Sequence, residues 1–169
     1  MSPAITGLRV GPVRIENVGE LFTVQLAAYV SEAQLYAAPD IPPLRETLDQ
    51  VRADVVAREV LVFGAWLGSR LVGSVRGRPG GNRMEVARFS VAPDMQGRGI
   101  GNTLLRTLEE SVPSGVRELW LTTGARSAPN IRLYEKAGYR QVGRRTDSAG
   151  VRLLVLAKSV PAQNNPVSG

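Results

Sequence analysis

Without a single histidine or cysteine in 169 residues, the chain has no Ser-His-Asp triad, no thiol nucleophile, no disulfide and little basis for a transition-metal site. Its length suits one compact domain, and 43% hydrophobic with 21% charged residues is an ordinary globular composition. A net charge of +6 with a pI near 10.5 suits a nucleic acid, an acidic substrate or a polyanionic cofactor. The arginines, however, are spread along the chain apart from short runs at Arg76 to Arg83 and Arg140 to Arg145, and few aromatics are present for base stacking, which argues against nucleic acid.

In chain order, Leu8 to Arg14 reads as a first strand and Asn17 to Tyr36 as a helix. Pro43 to Arg58 reads as a second helix with an apolar stripe of Leu44, Leu48, Val51 and Val55, separated from the first by Pro39, Pro42 and Pro43. Val60 to Leu67 and Leu71 to Val75 are strands joined by a short hairpin turn at Gly68 to Arg70. Met84 to Val91 is a fourth strand, set off by a loop from Gly77 to Asn82. A glycine-rich loop opens a helix to Ser111, Glu118 to Thr123 is a fifth strand, and a short helix begins at Asn130. Two last strands run from Arg140 to Arg144 and from Val151 to Ala157. The expectation is one α/β domain over residues 1–160, a mixed sheet with helices on both faces, followed by a disordered tail from Pro161 to Gly169. No apolar run approaches a membrane span and the N-terminus carries no export signal, so a cytoplasmic location is expected.

The chemistry is concentrated between Phe89 and Leu105, where an apolar strand, a proline-stopped turn, a glycine-rich loop and a helix follow one another. The first N–H groups of a helix lack intrahelical partners, and alternate glycines let them approach a phosphate that the helix dipole also favours. Gly97, Gly99 and Gly101 alternate with no Lys-Ser/Thr after them, which excludes a P-loop. The dinucleotide fingerprint fails as well, because its third glycine sits one residue early, although Glu118 lies at a plausible distance for a ribose acid. A second segment, Pro129 to Tyr139, begins with Asn130 as a candidate N-cap and stops at Gly138, with Asn130 and Tyr134 sharing a face.

Gln96-Gly97-Arg98-Gly99-Ile100-Gly101 matches Q/R-x-x-G-x-G/A between strand and helix and resembles the pyrophosphate-binding motif of the GNAT superfamily of acetyl-CoA-dependent N-acetyltransferases. The Asn130 to Tyr139 segment is similar to that family's later N-x-x-L/A-x-x-x-Y segment, or a close relative of it, followed by Gly-Tyr. The resemblance spans roughly Val60 to Lys158. It implies a mostly antiparallel sheet of six to seven strands with a splay after the fourth, and direct acetyl transfer from acetyl-CoA, without a metal, to a primary amine on a small molecule or a protein. It also implies that Val91, Gln96 to Asn102 and Asn130 bind the coenzyme, and that Tyr134 protonates the departing thiolate. Glu85, eleven residues before Gln96, occupies the offset of the catalytic glutamate in histone-acetylating members. Its structural reading is a solvent-facing residue at a strand start, as that of Tyr134 is a core aromatic. Arg88, on the opposite face from Glu85 by strand alternation, is a candidate for a substrate carboxylate or a structural acid. Glu32 and Tyr36 lie in the region Val30 to Arg45 that lines the acceptor pocket in relatives. An acyl-CoA sensor without turnover is the alternative function; the expected state is a monomer or homodimer, with no membrane partner.

Overall fold

The structure, a computed structural model, describes residues 5–162; the expected tail therefore lies almost wholly outside the described residues. Its elements are β1 (Leu8–Pro12), α1 (Val18–Leu35), α2 (Pro42–Arg45), α3 (Leu48–Val56), β2 (Leu61–Leu67), β3 (Arg70–Gly80), β4 (Arg83–Val91), α4 (Ile100–Glu110), β5 (Glu118–Gly124), α5 (Ala128–Lys136), β6 (Arg140–Thr146) and β7 (Arg152–Ser159). The seven strands form one sheet in the order β1-β2-β3-β4-β5-β7-β6. Every pairing is antiparallel except β4 with β5.

That one parallel pairing shapes the site. It covers only Arg83 to Glu85 against Glu118 to Trp120, so β4 and β5 part beyond Glu85 and the expected splay is present. The N–H of Ala92 bonds Val72 in β3. Because main-chain groups alternate in direction along a strand, the N–H and C=O of Val91 point away from β3 toward the gap.

Two expected boundaries move, each for a local reason. The single helix from Pro43 to Arg58 is broken at Glu46, which is extended (φ −62°, ψ 135°). Thr47 starts α3 with a reciprocal cap: its hydroxyl accepts the Gln50 N–H at 3.2 Å while the Gln50 side chain accepts the Thr47 N–H at 2.8 Å. The expected loop from Gly77 to Asn82 is instead mostly strand, with a tight turn at Gly81 (φ +62°) and Asn82. A side chain at Gly77 would meet the Met84 sulfur at 2.8 Å and Leu108 at 2.9 Å, and one at Gly73 would meet Leu104 at 2.9 Å. These glycines therefore let α4 lie flat against β3 rather than marking loops.

The α4 face buries Leu104, Leu105, Leu108, Met84, Leu119 and Leu156. The opposite face packs Leu21 of α1 and Val51 of α3 on Val62, Trp66 and Leu71.

Candidate active site

The β4–β5 gap opens into a cleft of about 840 Å³ bounded by α1, β4, the start of α4 and α5. At one end is the glycine loop. Gly97 (φ +72°) and Gly99 (φ +84°) both adopt the left-handed conformation, and Gly99 is the N-cap of α4 with no side chain capping it. The first bond into this turn comes from the Thr103 N–H to the Gly99 carbonyl, so the N–H groups of Ile100, Gly101 and Asn102 precede the helical ladder. Space around Gly97 and Gly99 is open, whereas a side chain at Gly101 would strike the Phe89 ring at 2.6 Å. Two glycines thus shape an anion cradle and the third seats the helix on β4. The cradle fits a pyrophosphate through main-chain donors; the Arg98 side chain turns instead to the Met95 sulfur at 3.5 Å. Gln96 reaches the Val91 carbonyl at 3.4 Å, and the Arg70–Asp94 pair at 2.7 Å pins the turn before the loop.

Tyr134 stands where α5 meets the cleft, 5% exposed. Phe89 and Tyr139 pack edge-on against it, each at 5.9 Å, and its hydroxyl has no hydrogen-bond partner among the described residues. Burial pushes its pKa well above the ordinary phenol range, with Tyr29 and Glu32 adding to the effect. Tyr29, half-buried and also lining the cleft, is pushed up to about 12 by burial against the opposing charges of Arg88 and Arg76.

Asn130 is not the N-cap of α5. The helix starts at Ala128 with Ser127 as N-cap, because Pro129 is well placed in a first turn. In the pattern N-x-x-L/A-x-x-x-Y the asparagine precedes the tyrosine by seven positions, which here is Ser127, a residue the sequence reading missed. Its hydroxyl donates to Glu32 Oε2 at 2.6 Å. With that proton committed, the 3.0 Å contact to Tyr36 has the tyrosine as donor, and the Arg126 N–H bonds the Tyr36 hydroxyl at 2.8 Å. This relay ties α1 to the start of α5. Asn130 reaches Glu32 Oε1 only at 3.4 Å, so Glu32, Tyr36 and Asn130 all line one wall of the cleft.

Glu85 and Arg88 do not face opposite ways. A bulge interrupts the β3–β4 register between Ser74 and Arg76, and Arg88 sits at it with φ +51°, which resets the alternation and lets both residues line the cleft. Glu85 is half-buried, opposite Arg78 in the register. Arg88 donates from Nε to Glu46 Oε2 at 3.1 Å. Glu46 also receives Arg76 at 2.7 Å, Arg76 being fully buried, and Gln25 at 2.7 Å; Asp54 holds Arg76 at 2.8 Å and Arg78 at 2.7 Å. Burial raises the Glu46 pKa, but the hydrogen bonds of Arg76 and Gln25 and the charges of Arg76 and Arg88 prevail and hold it near 2. Nothing in the sequence singled out Arg76 or Glu46, since both look like surface residues until the helix break turns Glu46 inward.

Among the described residues no group of acidic side chains is placed to hold a metal ion, and no helix is long and apolar enough to cross a membrane.

An acetyltransferase of Pectobacterium atrosepticum is 34% identical over 83 residues, 48% of this chain and 59% of its own length. A UPF0157 protein of Bacillus subtilis is 25% identical over 122 residues, 72% of this chain and 34% of its own. The chain thus spans about three-fifths of the first relative's length and about a third of the second's. The fold superimposes with a TM-score of 0.72 and 20% identity on the PaiA N-acetyltransferase of Thermoplasma acidophilum, solved in complex with coenzyme A, covering 90% of this chain and 99% of that one. The profile of the Acetyltransferase (GNAT) family matches residues 26–139, from the middle of α1 to the Gly-Tyr that ends α5, and the chain belongs to that family.

Proposed function

We propose that this protein is an N-acetyltransferase that passes an acetyl group from acetyl-CoA directly to a primary amine held in the same cleft. The supporting observation is the meeting of two features in one cleft: unpartnered main-chain donors at the start of α4 and the free hydroxyl of Tyr134. In this reading Gly97 to Asn102 hold the pyrophosphate, Val91 offers its gap-facing main chain to the pantetheine arm, and Gln96 and Asn130 complete the coenzyme site.

An ammonium with a pKa near 10 costs on the order of 4 kcal/mol to deprotonate at neutral pH, a cost that a carboxylate acting as general base in the cleft lowers. Glu85 accepts that proton, directly or through water. The amine nitrogen then bonds to the acetyl carbonyl carbon as the carbon–sulfur bond breaks; Tyr134 supplies a proton to the departing thiolate, and the second proton shed by the acylated nitrogen restores the phenol through water. Burial weakens Tyr134 as an acid, and the same desolvation raises the proton affinity of a thiolate placed beside it. A second reading gives the amine-facing role to Glu32, because Glu32 acts electrostatically on Tyr134 whereas Glu85 acts on Arg78.

Coenzyme A release measured across small amines, antibiotics, peptides and protein N-termini tests this function. Amine-dependent release is expected. Tight acetyl-CoA binding with no release for any amine would make the protein an acyl-CoA sensor.

A further inference from the structure

Of the two arginines that line the cleft, Arg126 lies over the Tyr36 ring, and Arg88, deeper in the β4 wall, is only partly answered by the fold. Arg88 is held in a left-handed backbone conformation at the β4 bulge, a strain of about 1–3 kcal/mol for a non-glycine residue that persists only where the surroundings enforce it. Glu46 enforces it through Nε alone at 3.1 Å, and neither Nη group has a partner among the described residues. Glu46 is itself divided between Arg76, Gln25 and Arg88. In this cluster the three arginines Arg76, Arg78 and Arg88 face Glu46 and Asp54. Arg78 has Asp54 at 2.7 Å and Glu85 opposite it, and Arg76 uses both Nη groups, so among the three it is Arg88 whose Nη donors are both left over. The residue remains 22% exposed and lines the cleft. Its fork of two Nη donors has the geometry that takes a carboxylate bidentately.

Beside it, the Tyr29 hydroxyl is also without a hydrogen-bond partner among the described residues and lines the same cleft. One helical turn on, Glu32 brings negative charge next to Tyr134. The acceptor end therefore runs from positive at Arg88 to negative at Glu32.

We propose that the acceptor carries its own carboxylate, that Arg88 binds this group through Nη1 and Nη2 with Tyr29 assisting, and that the substrate class is a free amino acid. The proposal rests on the acetyltransferase reading of the cleft. Polycationic acceptors are disfavoured by the same charge. The amine, lying toward Tyr134, loses a proton to a cleft carboxylate and bonds to the acetyl carbon as coenzyme A leaves as its thiolate, which gains a proton from Tyr134 while the nitrogen's second proton restores that phenol; the product is an N-acetyl amino acid with its carboxylate still on Arg88.

The test pairs each of the twenty standard amino acids with its primary carboxamide, using the full chain and acetyl-CoA. The best acid is expected to exceed its amide in kcat/KM by at least about thirtyfold, the scale of losing one partner of a desolvated charge pair. Arg88→Gln should bring that ratio to near one while the melting shift produced by acetyl-CoA persists, which a merely structural role for Arg88 would not do. The wild-type comparison needs no variant to fold. Because a slow enzyme can still bind, the melting temperature of the coenzyme A complex is measured with each pair as well. A further rise with an acid and none with its amide supports carboxylate binding even without turnover, in which case the transfer reading fails alone. Turnover in which amides match acids overturns this proposal and leaves the transferase reading standing. If no acid gives release or added stability, the proposal is overturned.

Discussion

Tyr134 is the residue whose surroundings argue most directly for chemistry. A buried tyrosine ordinarily finds a partner for its hydroxyl, and this one has Phe89 and Tyr139 fixing the ring while the hydroxyl opens onto the cleft. Tyr134→Phe keeps the packing and removes only the proton. Turnover is expected to fall by about a hundredfold with acetyl-CoA affinity kept, measured by steady-state kinetics beside calorimetric titration. Lost affinity with unchanged turnover at saturation would make it a binding residue. For Glu85→Gln the deficit should be largest at neutral pH and shrink as alkaline pH deprotonates the amine; a variant within about a factor of two of wild type at every pH is incompatible with a general base at Glu85 and leaves an already neutral amine, or another group such as Glu32, as the explanation. All the site residues named from the sequence except Arg98 line the cleft, but the sequence misjudges how some of them sit. Arg88 was placed on the wrong face because alternation assumes an unbroken strand, and a bulge leaves no fixed signature in residue types. Asn130 was read as a cap because asparagine favours that position, while Ser127, three residues earlier and followed by Ala128-Pro129, was the better-placed cap.

At the level of elements, the break between α2 and α3 matters more than its two-residue length suggests. Thr47 caps α3 and turns Glu46 back onto the sheet, where it holds Arg76 and Arg88. Helix periodicity across Pro43 to Arg58 was real, since Val51 is fully buried, but periodicity does not register a cap inside an apolar stripe. The strand extension into Gly77–Gly80 was hidden for a related reason: glycine and proline read as punctuation, whereas here the missing side chains make room for Met84 and Leu108. The Glu46 carboxyl has its folded pKa lowered from 4.5 to about 2. A depressed carboxyl stabilises the fold above its unfolded pKa, and that contribution is lost as pH falls through the folded one. Urea unfolding followed from pH 6 downward should therefore show stability declining between about 4.5 and 2. Glu46→Gln should be less stable at pH 6 by about 3 kcal/mol, because a buried arginine loses its counter-charge, and its curve should be flatter in that window. An unchanged slope would show that the cluster does not depend on the ionised carboxylate.

On the scale of the whole molecule, the sheet supplies both halves of the site by failing to stay closed. Three paired residues hold β4 to β5; beyond them β4 keeps β3 and β5 keeps β7, so neither strand loses its other neighbour while the gap between them stays open. The α4 face brings the cradle and Tyr134 to one side of the gap, and α1 brings Tyr29, Glu32 and Tyr36 to the other. A ligand that bridges these walls binds the native state and not the unfolded chain, so it raises stability by mass action, about 2.7 kcal/mol at a hundred times Kd. For a chain of this size that is a rise in melting temperature of about 5 °C or more, readable by calorimetry with acetyl-CoA. Gly99→Asp places a carboxylate where the unpartnered helix N–H groups face the cleft, at a backbone with φ +84°; its charge takes up those donors and repels an anion there, while the left-handed backbone strains the fold. The variant's own melting temperature will be lower, so the informative quantity is the shift caused by acetyl-CoA, which should vanish in the variant and persist in Tyr134→Phe. A wild-type melting curve that saturating acetyl-CoA does not move would remove the cradle assignment, and with it the donor side of the proposed reaction.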